Sequence, residues 1–319
     1  MTARVPAAPF KTHHMMAVGG LVFLALVILL WTTRGLSYPN PADIRAPADL
    51  LQQKAASERE AAITRFSVTC LDALTRGELD LAIKNCNLAI ELDPNNVTLL
   101  DLRGNALVLA GNPDKALTDF SRAIVLSPAD PNSYRYRGNV YFMLKRDALA
   151  LADYNRAVLL DPQNALGIEL RGHFFQARGE YTSAIADFTR SIALKPDEAR
   201  TWNSRCWTRV LANRELDTAL ADCDHALALD PRYANAYDSR GYVHVRMGKF
   251  ADAIADFDHA LAITPELATS LFGRGLAKLR TGDATARLDL AQARQLDHGI
   301  EMRFAAIGFR LKANGTSGA

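Results

Sequence analysis

ANAYDSRGYVHVRMGKFADAIADFDHALAITP, residues Ala234–Pro265, decides the fold. Tyr237 precedes Gly241 by four, which puts both on one face of a helix. Gly248 tolerates the left-handed turn that ends a helix. A second helix reads over Asp252–Ile263, and Pro265 cannot continue it. The small Gly241 and Ala253 let the two backbones approach closely. The same text recurs on both sides. Arg240-Gly241 is one of six copies, with Arg103-Gly104, Arg137-Gly138, Arg171-Gly172, Arg205-Cys206 and Arg274-Gly275, at steps of 34, 34, 34, 35 and 34. Pro94, Pro128, Pro162, Pro196, Pro231 and Pro265 keep the same time, and so do the Ala-x-x-Asp pairs from Ala116/Asp119 to Ala286/Asp289. Helix stops fall at Gly77, Gly111, Gly179, Asn213, Gly248 and Gly282. Ladders that share one period describe a repeat array, not a single globular core.

The unit resembles the tetratricopeptide repeat (TPR). Tyr237, Gly241, Ala253, Phe257, Ala260 and Pro265 fall at that family's signature positions. The resemblance covers Ile63 to Gly299 as seven units: 63–96, 97–130, 131–164, 165–198, 199–233, 234–267 and 268–299. The fifth is one residue long and the seventh one short. The resemblance implies an all-α solenoid of helix hairpins winding into a superhelix, with residues 300–312 as a capping helix and 313–319 as a disordered tail. Every unit with Arg before the Gly or Cys has Asp in its second helix. The first unit has neither, since Thr69 and Asn85 stand there. Their joint absence predicts that Arg and Asp of the same unit pair as structural ions, not as catalytic carboxylates.

Met15–Thr33 carries no charge and spans about 28 Å as a helix, enough for a bilayer core. It reads as a single-pass transmembrane anchor after a cytoplasmic tail of 1–14. A cleaved signal peptide is the rival reading, and Thr33–Gly35 offers only a weak cleavage site. Residues 34–62 read as a proline-bearing tether followed by a leading helix over Leu50–Glu60.

Four cysteines occupy two kinds of position. Cys70 and Cys206 stand at the Gly position, and Cys86 and Cys223 at the aromatic position of the second helix. In the TPR family those positions face each other. The resemblance therefore implies Cys70–Cys86 and Cys206–Cys223 disulfides, against the plainer reading of small apolar residues that happen to be Cys. Disulfides need an oxidising compartment. With the anchor and an Arg-rich, Ala-rich composition, they give a bacterial inner-membrane protein with its repeats in the periplasm. The chain is net +2, and without the first 34 residues it is close to neutral. It lacks the basic footprint of nucleic-acid binding.

No phosphate loop, metalloprotease helix or nucleophile elbow is present, so no enzyme activity, metal or cofactor is expected. His225 and His259, a repeat apart, read as solvated outer-face residues. The resemblance places partner binding on the inner face of the first helices. The fifth positions are Asp101, Arg135, Glu169, Asn203, Asp238 and Phe272; the ninth are Asn105, Asn139, His173, Trp207, Tyr242 and Leu276. Phe142, Gln176, Arg246 and Arg280 border them. Trp207 and Tyr242 read as aromatic anchors for a protein or peptide, or as packing between units. The family's carboxylate clamp is not reproduced, because Asp101 stands where it needs Lys. The expected function is a membrane-tethered scaffold for envelope-complex assembly. The alternative is an accessory subunit of a membrane enzyme or transport complex, contacted through the anchor.

Overall fold

The computed structural model describes residues 47–311. These form fifteen helices, with no strand among the described residues. Contacts divide the chain into residues 1–62 and 63–319. Of the first unit only 47–62 is described. It is the opening part of α1 (Pro47–Thr75), and residues 49–61 are exposed throughout. The expected tail, membrane span and most of the tether lie outside the described residues, as does 313–319. Among the described residues no helix is long and apolar enough to cross a membrane.

The second unit is a run of helix pairs. Ile63–Thr75 of α1 pairs with α2 (Leu79–Leu92). There follow α3 (Val97–Leu109) with α4 (Pro113–Leu126), α5 (Pro131–Met143) with α6 (Asp147–Leu160), and α7 (Ala165–Ala177) with α8 (Tyr181–Leu194). Next come α9 (Ala199–Ala212) with α10 (Leu216–Leu229), α11 (Ala234–Met247) with α12 (Phe250–Ile263), and α13 (Ala268–Thr281) with α14 (Ala286–Leu296). Helix α15 (Ile300–Ala306) closes the series. Asn96, Asp130 and Asn164 cap first helices by accepting from the backbone N–H of Leu99, Asn132 and Gly167. Each ladder proline follows directly on the last residue of a second helix's cap, as Pro94 follows Asp93.

The turns inside the pairs are left-handed. Gly77, Gly111, Gly179, Gly248 and Gly282 all have φ between 75° and 80°. Lys145 takes that role in the third pair at φ 59°. The fifth pair places its surplus residue here: Asn213 and Glu215 are both left-handed, at 50° and 52°. Buried Arg209 holds Glu215 at 3.0 Å.

Ladder glycines lie close against the second helices: Gly104, Gly138, Gly172 and Gly241 face aromatic rings, and Gly275 faces Leu290 and the carbonyl of Ala286. A Cβ on Gly104 would lie 2.5 Å from Phe120; on Gly172, 2.9 Å from Phe188; on Gly241, 2.7 Å from Phe257. Where the ring is replaced by Cys, so is the glycine. Cys70–Cys86 and Cys206–Cys223 are disulfide-bonded, each inside one helix pair.

All six arginines pair within their own unit. Arg103 holds Asp119, Arg137 Asp153, Arg171 Asp187, Arg205 Asp222, Arg240 Asp256 and Arg274 Asp289, at 2.6–2.8 Å with the carboxylates buried. Asn85, in the unit without Arg, instead donates to the carbonyl of Leu81. Each arginine also reaches back with Nη1 to the preceding unit. The acceptors are Asn87, Ser121, Asn155, Thr189, Asp224 and Asp258. One guanidinium therefore ties a hairpin shut and fixes it to its neighbour.

Candidate partner-binding face

The fifth positions of the first helices are mostly seam residues. Ser133 Oγ donates to both carboxylate oxygens of buried Asp101, at 3.0 Å each. Burial outweighs that bond and pushes the carboxyl up to about 7. Ser270 repeats the bond to Asp238, where burial again dominates and the carboxyl is pushed up to about 6. Glu169 is buried, 3.5 Å from His173 Nε2. Asn203 is buried with its Oδ1 unpartnered. Phe272 is core. Arg135 and Asp238 stay half-exposed, and the Arg135 guanidinium lies over the Tyr136 ring at 4.3 Å.

The ninth positions split the face in two. Asn105, Asn139 and His173 are half-exposed on α3, α5 and α7, one repeat apart. The hydroxyl of Tyr154 donates to Asn139 Oδ1 at 2.8 Å, and no internal hydrogen bond among the described residues engages the amide NH2. No internal hydrogen bond engages the Asn105 side chain among the described residues. From the fifth unit on, the face is covered. Trp207 is half-buried, with Tyr242 5.6 Å and Phe304 6.4 Å from its ring. Tyr242 is fully buried and donates to the Thr269 carbonyl at 2.6 Å. Phe257, Phe304 and Phe309 surround it at 5.0, 5.0 and 4.9 Å. Leu276 belongs to the same core.

Two expectations are corrected by this packing. Tyr242 is not an accessible anchor, because its ring carries the core between α11 and the C-terminal segment. Residues 300–312 are not one capping helix on the last unit. Helix α15 stops at Ala306, Gly308 turns the chain at φ 90°, and Ile307–Leu311 runs back over the first helices. Arg246 stacks on Phe309 at 4.1 Å and hydrogen-bonds to the carbonyl of Ile307, while Arg280 donates to the carbonyl of Arg310. Gln176, a border residue, donates to Thr208 Oγ1 at 2.7 Å. His225 and His259 are exposed and lie against Trp202 and Tyr237, at 4.0 and 5.1 Å.

A tetratricopeptide repeat family model matches residues 102–165 and 239–296. The comparisons support the tetratricopeptide repeat family. Among solved structures, a TPR protein from Parabacteroides merdae ATCC 43184 is 20% identical, with 78% of this chain and 98% of that one covered and a TM-score of 0.61. PilF of Pseudomonas aeruginosa is 18% identical over 67% of this chain and 98% of its own, at a TM-score of 0.56. PilW, described as a widely conserved type IV pilus biogenesis factor, is 17% identical over 66% and 94%, also at 0.56. At these identities the likeness is one of fold. No curated protein matches the sequence.

Two features of this repeat array are not marked in the sequence by a constant residue type. The acceptors of the arginine Nη1 groups form a ladder of their own, two residues after each Asp or its Asn85 counterpart. Their residue types vary, so only hydrogen-bonding capacity repeats. A second set stands four residues after the arginine in the last three units: Arg209 and Lys278 give Asp222 and Asp289 a second cation, and His244 Nδ1 lies 3.0 Å from Asp256. Leu107, Tyr141 and Phe175 stand there in earlier units. Burial pushes Asp256 up, but hydrogen bonds from His244 and Arg240 outweigh it and hold the carboxyl below its ordinary range.

Proposed function

We propose that this TPR array is a scaffold that binds protein or peptide partners on the first-helix face of units two to four. The observation that carries this reading is the strip of half-exposed Asn105, Asn139 and His173. These amide and imidazole groups stand at one-repeat intervals with unused hydrogen-bonding capacity. An extended peptide presents carbonyls and N–H groups that suit such a strip. Units five to seven are a poorer place for a partner, because the chain's own C-terminal segment lies there. The test is affinity capture with the full chain carrying Asn105→Ala and His173→Ala. Capture should fall at least tenfold, about 1.4 kcal/mol, with an unchanged melting temperature. Unchanged capture would move the binding surface elsewhere.

The finer reading is a periplasmic scaffold tethered to the bacterial inner membrane through residues 15–33 and acting in envelope-complex assembly. Its supports are the uncharged segment Met15–Thr33 and two cysteine pairs that suit an oxidising compartment. A reporter active only in the cytoplasm, fused after Ala319, should stay silent; activity there would reverse the topology. The alternative is an accessory subunit whose anchor makes the key contact. Replacing Met15–Thr33 with an unrelated anchor separates the two, because only the accessory subunit loses function.

A further inference from the structure

Where the C-terminal segment crosses α11 and α13 it leaves a cavity of about 240 Å³. Arg246, Arg280 and Arg310 line it, together with the apolar side chains of Val245, Phe250 and Leu276. Every ladder arginine in this chain is matched to an aspartate. These three are not: none makes an ion pair among the described residues. Arg246 is the most committed. One Nη2 hydrogen-bonds to Ile307 O and the plane lies on Phe309, yet its Nε is buried without a partner. Burial lowers its pKa and no neighbouring acid offsets that. Arg280 makes a single bond, to Arg310 O, and the exposed Arg310 side chain makes none.

A desolvated guanidinium with an open donor costs free energy until an oxyanion meets it, and Arg forks match carboxylates with two parallel bonds. Asn213 is the other polar side chain of the wall, and Val245, Phe250, Leu276 and Phe309 give it apolar surface. We propose that this pocket binds a carboxylate carried on an apolar stem, as in the C-terminal residue of a peptide or a free N-acylated amino acid. The arginines take the carboxylate, and Val245, Phe250 and Leu276 take the stem. The site is separate from the Asn105–His173 strip, so either can fail alone.

The purified full chain in detergent is titrated calorimetrically with four probes. They are N-acetylleucine, an acetylated tripeptide ending in Leu with a free carboxylate, the same tripeptide as its C-terminal amide, and inorganic phosphate. The free-acid tripeptide should bind at least tenfold more tightly than the amide, and phosphate should bind more weakly than either acid. Arg280→Gln and Arg310→Gln should each weaken the acid at least fivefold. The exposed Arg310 side chain makes no hydrogen bond or ion pair among the described residues, so its variant tests binding without a threat to folding. N-acetylleucine equal to the tripeptide assigns the pocket to free small acids; a tighter tripeptide assigns it to peptide C termini. Equal affinity for acid and amide, phosphate as tight as the acid, or indifference to both substitutions overturns the proposal.

Discussion

A glycine on a first helix of this array is a statement about the ring opposite. Phe257 lies where a Cβ on Gly241 would be, at 2.7 Å, while Tyr154 leaves 3.2 Å at Gly138. Overpacking of this kind typically costs 1–3 kcal/mol, against a helix-propensity gain of up to about 1. Gly241→Ala should therefore destabilise the array by about 1–2 kcal/mol in urea denaturation, and Gly138→Ala by clearly less. Equal effects would mean that Phe257 moves aside freely. Asp101 carries a different cost, one set by pH. Its folded carboxyl sits at about 7 against the ordinary 3.8. The fold therefore binds its proton more tightly than the unfolded chain does. That stabilisation is complete below about pH 4 and is lost as pH rises toward 7. Asp101→Asn stays neutral throughout, so it should match wild type in stability near pH 4 and exceed it at pH 8, by up to about 4 kcal/mol. Parallel profiles would show that Ser133 keeps the ionised form comfortable. Asp256 runs the other way: its contribution is present above about pH 4 and falls away as pH drops through its lowered value.

Hairpins are the level at which the sequence was most legible. Glycine, aspartate and proline recur with one period, and each has a single mechanical job in a helix pair. The cysteine positions could be read for the same reason, since each pair replaces a glycine and a ring that already touch. Closing loops of 16 and 17 residues contributes about 3 kcal/mol apiece in the chain-entropy picture. Cys206→Ser with Cys223→Ser should lower stability by about that much, and unreduced peptide mapping of native-membrane protein should show both links. Four free thiols there would remove the chief support for a periplasmic array. The third hairpin shows a local flaw, with Lys145 at φ 59° where its siblings have glycine. Lys145→Gly relieves a left-handed cost of about 1–2 kcal/mol while loosening the unfolded chain. A net gain of about 0.5–1 kcal/mol is expected by thermal denaturation. The C-terminal segment was illegible because it does not repeat. Phe304 and Phe309 have no counterparts in other units, so no ladder says where they go, and contacts across many residues decide it.

Across the whole array, stability is a sum of hairpins and seams. The arginine Nη1 bonds enter every seam after the first hairpin, whereas the C-terminal segment ties down three units at once. Phe304 touches Trp207, Tyr242 and Phe272. Phe304→Ala should cost about 3–5 kcal/mol and shift the emission of Trp207 toward that of a solvated indole. An unshifted spectrum would mean that Trp207 is shielded by its own hairpin alone. The surplus residue of the fifth unit bears on the array's tolerance of change. Arg205 still meets Asp222 although seventeen residues separate them instead of sixteen, and Arg274 meets Asp289 across fifteen. The molecule keeps its period in space while its text drifts, because the left-handed corners take up the slack. Such a corner is a splice point. A short graft at Arg214 would lengthen the chain without rephasing any unit after it, and an alignment held to a rigid grid would misassign every residue downstream.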